Sequence, residues 1–137
     1  MEKLRRKLEE SEKSLNSLSE ILSKDFTEIV RDATIQRFEY TFEVVWKLLK
    51  EYLYYVEGIN CNSPKKCFRE AFSIGLLNET ETLSFFEMTD DRNLTSHTYD
   101  VGLAERLYNK IKSHYQLMKS LFTRIKESTE QQYRNKL

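Results

Sequence analysis

Glycine and proline are nearly absent: three Gly and a single Pro occur in 137 residues. An all-β fold needs tight turns at short intervals, and such turns draw on both residues, so that class is excluded. No run of about 18 apolar residues occurs, which leaves no segment suited to cross a bilayer as a helix. The opening stretch MEKLRRKLEESEKS is charged throughout and lacks the apolar core of a secretory signal. The expected location is therefore the cytoplasm. Cysteine is scarce too, with only Cys61 and Cys67. No second Cys or His pair flanks their C-x5-C spacing, so zinc is not expected, and in the cytoplasm both thiols are expected to be reduced. Net charge is also missing, with 22 basic and 22 acidic side chains. The chain thus carries no global basic signature for nucleic acid, and DNA is not an expected partner.

What remains is charged and helical. Charged residues make up 32% of the chain, and the apolar ones recur at helical spacing. The length suits one domain spanning residues 1–137. Leu4, Leu8, Ser11, Leu15, Leu18 and Leu22 mark one narrow seam on a first helix, about residues 2 to 23. A second helix is expected from about Asp25, as N-cap, to Val56, with Gly58 ending it. Its apolar residues, among them Phe38, Phe42, Val45, Trp46, Leu49 and Leu53, cover more than one face. That breadth asks for its own bundle and leaves room for another chain. Ser63 and Pro64 open a third helix with Phe68, Ala71 and Phe72 on its apolar face, and Gly75 closes it. Asn78 or Thr80 opens a fourth, carried by Leu83, Phe86 and Leu94. Asp100 opens the last helix, whose expected buried face is Ala104, Leu107, Tyr108, Ile111, Tyr115, Met118, Leu121, Phe122 and Ile125. Residues 128–137 are polar and expected to fray. Short connections favour antiparallel neighbours, so the predicted fold is all-α: an antiparallel up-and-down bundle of about five helices.

The charges are unevenly spread. Residues 78 to 91 hold five acids and no base. Residues 101 to 137 hold eight bases (Arg106, Lys110, Lys112, Lys119, Arg124, Lys126, Arg134, Lys136) against three acids. A basic helix can be a positive wall of a groove or a solvated face, and both readings stand at this level.

One stretch stands out, DRNLTSHTYD at residues 91–100. It sets Arg92, His97 and Tyr99 in an R-x4-H-x-Y frame. Residues five apart on one helix lie about 140° apart, so Arg92 and His97 would not share a face of a continuous helix. The chain must turn before Asp100, however, which places His97 at or just past a helix end. Asn93, four residues before His97, could then hydrogen-bond it, and Tyr99 would lie exposed in the turn. Cleavage of RNA without a metal needs a base for the 2′-hydroxyl and a cation for the phosphorane. Histidine titrates near neutral pH, and the planar fork of arginine matches phosphate oxygens. The plainer alternative has His97 binding the last helix carbonyls and Arg92 paired with Glu87, Asp90 or Asp91. His114, the other histidine, reads as a surface residue of the basic last helix.

Three blocks in order, RFEYTFEVVWKLLKEYL (37–53), SPKKCFREAFSIGLL (63–77) and FFEMTDDRNLTSHTYD (85–100), resemble the nucleotidyltransferase substrate-binding branch of the HEPN superfamily. These are the HepT-like proteins encoded beside a minimal nucleotidyltransferase, and the resemblance covers roughly residues 20 to 120. It implies a helical bundle that dimerises. It also implies a metal-independent ribonuclease toxin in which Arg92 and His97 of two protomers form the catalytic site and Asn93 supports it. It further implies a partner nucleotidyltransferase that acts as antitoxin by transferring AMP from ATP onto the motif tyrosine, here Tyr99. The chain itself then needs no cofactor, since ATP and Mg belong to that partner, and its substrate is RNA. The alternative within the same family is a non-catalytic substrate- or nucleotide-binding subunit of a two-component nucleotidyltransferase.

Overall fold

A computed structural model describes residues 1–135. Among these residues there are five α-helices, one short 3-10 turn and no strand. The helices are α1 (Glu2–Leu22), α2 (Glu28–Glu57), α3 (Pro64–Ser73), α4 (Glu79–Leu94) and α5 (Val101–Asn135), and Thr95–His97 forms the 3-10 turn between α4 and α5. No helix among them is long and apolar enough to cross a membrane.

α2 packs against α1, α3, α4 and α5. This explains the breadth of its apolar pattern. Phe38, Phe42, Val45, Leu48, Leu49, Tyr52 and Leu53 are all buried on it, and neighbours within the same chain cover them. The helix therefore needs no second chain to bury these residues. The aromatic core runs outward from it: Phe42 meets Phe68 of α3 at 6.2 Å between ring centres, and Phe68 stacks on Phe85 of α4 at 4.4 Å.

The helix ends follow local chemistry. Thr27 caps α2, its hydroxyl accepting from the Val30 N–H at 3.0 Å, so the start falls two residues after the expected Asp25. Gly58 ends the same helix at φ 68°, a left-handed conformation that a side chain would strain. Asn78, rather than Thr80, opens α4. Its side chain accepts from the Glu81 N–H at 2.8 Å while Glu81 accepts from the Asn78 N–H at 2.9 Å, a reciprocal capping box. Asp100 holds the Leu103 N–H at 3.2 Å at the head of α5.

Several expectations are corrected. The α1 seam drifts from Leu22 to Ile21, and Leu8 is only half-buried. On α4 the buried apolar residues are Phe85 and Met88, while Leu83 is 58% exposed and Leu94 is exposed as well. Phe72 of α3 also faces out. In the stretch from 128, α5 is helical to Asn135, and Thr129 is buried. Residues 136 and 137 of that expected tail, Lys136 included, lie outside the described residues. Cys61 and Cys67 are not free thiols but a disulfide, both buried where the chain turns from α2 into α3.

The uneven charge has a structural meaning. Acids of α4 and bases of α5 face each other. Arg124 grips Glu81 with two bonds, of 2.9 and 2.6 Å, and also donates to the Leu76 carbonyl. The guanidinium holds the Glu81 carboxyl below its usual range. Lys110 bridges Glu87 and Asp91, at 2.8 Å each. Two of the α5 bases are thus spent on lacing α4 to α5, not on a positive wall.

Candidate functional site at the α4–α5 corner

α4 stops at Leu94, and the 3-10 turn carries the chain round to Tyr99 and Asp100. Arg92 sits in the last turn of α4, where a cation complements the exposed carbonyls. Its guanidinium reaches back over α2. Nε lies 3.3 Å from Glu43 Oε1, near enough for charge attraction but not aligned as a hydrogen bond. Nη1 lies 4.0 Å from Glu39 Oε2 and donates to the Thr95 hydroxyl at 3.4 Å. Thr95 is buried; its hydroxyl lies 2.6 Å from Glu39 Oε2 and 2.7 Å from the Arg92 carbonyl, and its one proton is shared between them. Glu43 is held from its other side, where Oε2 accepts from Trp46 Nε1 at 3.1 Å.

His97 is exposed, and its side-chain contact is with Tyr99: the phenol oxygen lies 3.4 Å from Nδ1, with the rings edge to face. Tyr99 is 83% exposed. The structure therefore brings His97 and Tyr99 together, and Arg92 together with Glu39, Glu43 and Thr95. It makes no hydrogen bond between Arg92 and His97. Asn93 is exposed and does not bond His97, because α4 ends before the four-residue helical spacing is complete. The acids expected to take Arg92 are occupied elsewhere: Asp90 pairs with Lys65 at 2.7 Å, and Glu87 and Asp91 pair with Lys110.

The corner is open to solvent: Asn93, Leu94, Ser96, His97, Tyr99 and Asp100 are all exposed. A mainly apolar groove of about 390 Å³, lined by Leu8, Phe122 and Tyr133, lies along the far half of α5. It belongs to a different part of the bundle from the motif. One chain does not enclose Arg92, His97 and Tyr99.

His114 is the main correction here. It is not a surface residue but is 7% exposed, beneath the corner. Its ring stacks on Phe38 at 5.5 Å, and its Nε2 lies 2.7 Å from Asp91 Oδ2. A signal was available in the sequence. Leu107, Ile111, His114, Met118, Leu121 and Ile125 alternate by four and three residues, so His114 stands in the buried seam. Burial lowers its pKa from the ordinary 6.5, and Asp91 offsets this only in part. The folded ring is thus neutral and donates Nε2–H to the Asp91 carboxylate.

The unfolded ring takes its proton first as pH falls. Stability carried by His114 is therefore complete above about pH 7 and declines as pH drops through 6.5 toward the lower folded value. Urea unfolding should show a lower midpoint at about pH 5.5 than at about pH 7.5. The same comparison in His114→Gln should show a smaller difference. An equal difference in both proteins would assign the pH dependence to other groups.

Glu39, Glu43 and Thr95 are functional candidates that sequence reasoning did not single out. Glu39 and Glu43 are four apart on α2, which marks a shared helix face. Nothing in the spacing alone ties that face to Arg92.

Comparison with known proteins places this geometry in a family. A family model described as nucleotidyltransferase substrate binding protein like matches residues 6–127. A Thermus thermophilus protein of known crystal structure is 41% identical, covering 84% of this chain and 98% of that one, with a TM-score of 0.81. A Haemophilus influenzae protein described as probable ribonuclease HepT is 33% identical over 81 residues, or 56% of this chain. The chain spans about half the length of that curated relative, 54%. A tri-AMPylated Shewanella oneidensis HEPN toxin, solved in complex with MNT antitoxin, shares the fold at 13% identity and a TM-score of 0.70, covering 90% of this chain and 96% of that one. With the family model spanning most of its length and the R-x4-H-x-Y corner in place, the chain belongs to the nucleotidyltransferase substrate binding protein like family.

Proposed function

We propose that this protein is a metal-independent endoribonuclease toxin that works as a homodimer and is silenced by a partner nucleotidyltransferase. The observation that carries the reading is the corner itself. An exposed His97 with Tyr99 3.4 Å away sits on the turn directly after the helix end that bears Arg92. His97 takes the proton from the RNA 2′-hydroxyl as its oxygen bonds to phosphorus. Arg92 stabilises the charge on the phosphorane oxygens. The bond from phosphorus to the 5′-oxygen then breaks, and a protonated His97 of a second copy supplies the leaving group's proton. The products are a 2′,3′-cyclic phosphate and a 5′-hydroxyl. Two copies are needed because each chain has only one exposed histidine, and the solvent-exposed corner gains a cleft only against a second surface. Asn93, exposed beside Arg92, supports RNA at the rim.

Tyr99 is the control point. Its oxygen attacks the α-phosphorus of ATP held by the partner enzyme, and the bond to pyrophosphate breaks. ATP and Mg belong to that enzyme, and the chain needs no cofactor of its own. An added phosphate near Arg92 competes for its charge and blocks RNA.

A second reading, a non-catalytic substrate-binding subunit, is favoured by one observation. Arg92 is flanked by Glu39 and Glu43, which reduces the charge it offers to phosphate. The test is RNA cleavage by the purified protein in excess EDTA, with analysis of product ends. Cleavage to 2′,3′-cyclic phosphate ends is the expected result. Intact RNA, with Tyr99 unmodified by mass, moves the assignment to the second reading.

A further inference from the structure

We infer that Glu43 and Glu39 are positioning residues that aim Arg92 at a phosphate and moderate its charge. The inference rests on the reading of Arg92 as the phosphate-binding group. Three edges of the guanidinium can bind, and two are taken. Glu43 stands at Nε, and Thr95 with Glu39 stands at Nη1. Nη2 has no hydrogen-bond partner among the described residues and is not one of the buried unpartnered atoms. It is the corner left for a ligand.

Neither carboxylate is a chance neighbour. Glu43 is itself held by Trp46 at 3.1 Å, and Glu39 by the buried Thr95 at 2.6 Å. Each has one oxygen anchored by a fixed group. An arginine held in this way keeps its direction, because its long side chain loses freedom before the ligand arrives and not during binding. The same two carboxylates neutralise part of its charge, so a phosphate in the ground state is held less tightly than by a free arginine.

These two effects separate in experiment. Removing the Glu43 charge frees positive potential, which strengthens binding, but it also loosens the aim, which slows chemistry. Glu43→Gln should lower kcat about tenfold with no rise in KM. A merely structural role would raise KM as well, or lower the melting temperature in parallel. Glu39→Gln serves as the second variant and should act in the same sense.

A binding cycle tests the inference without relying on cleavage. The probe is a fluorescent single-stranded oligonucleotide carrying 2′-deoxyribose, which this chemistry cannot cut. Glu43→Gln should bind it about three- to tenfold more tightly than wild type. In the Arg92→Ala background the same substitution should change affinity by less than about twofold. An equal gain with and without Arg92 would reduce the effect to overall charge and overturn the inference, as would weaker binding by Glu43→Gln. A wild-type protein that binds the probe but leaves RNA intact would sink the nuclease reading alone and leave this one standing on the cycle.

Discussion

His97→Ala should lower the RNA cleavage proposed for this protein by about a hundred- to ten-thousandfold and leave the melting temperature unchanged. The size follows from the role. A positioned general base or acid contributes on that scale, and the chain offers no substitute, since its other histidine is buried against Phe38 and committed to Asp91. The unchanged stability follows from the structure. His97 is exposed, and its side-chain partner is the equally exposed Tyr99 at 3.4 Å. Arg92→Ala should differ in kind. It removes the phosphate contact proposed for Arg92, so RNA binding should weaken and the salt dependence of log K should flatten by about one unit. Cleavage by His97→Ala within a few-fold of wild type would remove His97 from the mechanism.

Phe38→Ala destabilises the fold by about 3–5 kcal/mol, the cost of lost burial plus the cavity left behind. Phe38 is 1% exposed, stacks on His114 and lies 6.3 Å from Phe42, ring centre to ring centre. Its loss opens space directly beneath the Asp91–His114 bond. The melting temperature should fall by on the order of 10 °C. Urea unfolding gives the free energy directly, and a loss under about 1 kcal/mol would mean that the ring does not anchor this corner. Because Asp91 precedes Arg92 in the chain, the same variant should also loosen the corner that carries Arg92.

The exposed histidine and the buried one illustrate the limits of reading residues singly. His97 lies in a region where the motif spacing and the Asp100 cap both demand a turn, and it is found on that turn. For His114 the basic character of its helix points to the surface, whereas its place between Ile111 and Met118 in the seam governs its burial. Periodicity outweighs neighbouring charge because a side chain's face is set by its angle about the helix axis. Leu83 and Leu94 show the reverse error. They are apolar, but Phe85 and Met88 occupy the inward angles of α4.

By itself, the sequence determined the class, the five helices and the start and stop chemistry of most of them. These depend on local matters: apolar spacing, the capping side chains of Asn78 and Asp100, and the left-handed turn at Gly58. It also contained the R-x4-H-x-Y frame and the ordered blocks that mark the family. Only the tertiary structure decided what Arg92 touches. Local spacing pointed to Glu87, Asp90 or Asp91, yet packing delivers Glu39 and Glu43 from a helix about fifty residues earlier. It also decided that the acids of α4 meet the bases of α5, and that α2 buries its several faces within one chain. The physical reason is common to all three. Which helix faces which is settled by the joint burial of the core, and no window of sequence shorter than the whole bundle contains that sum.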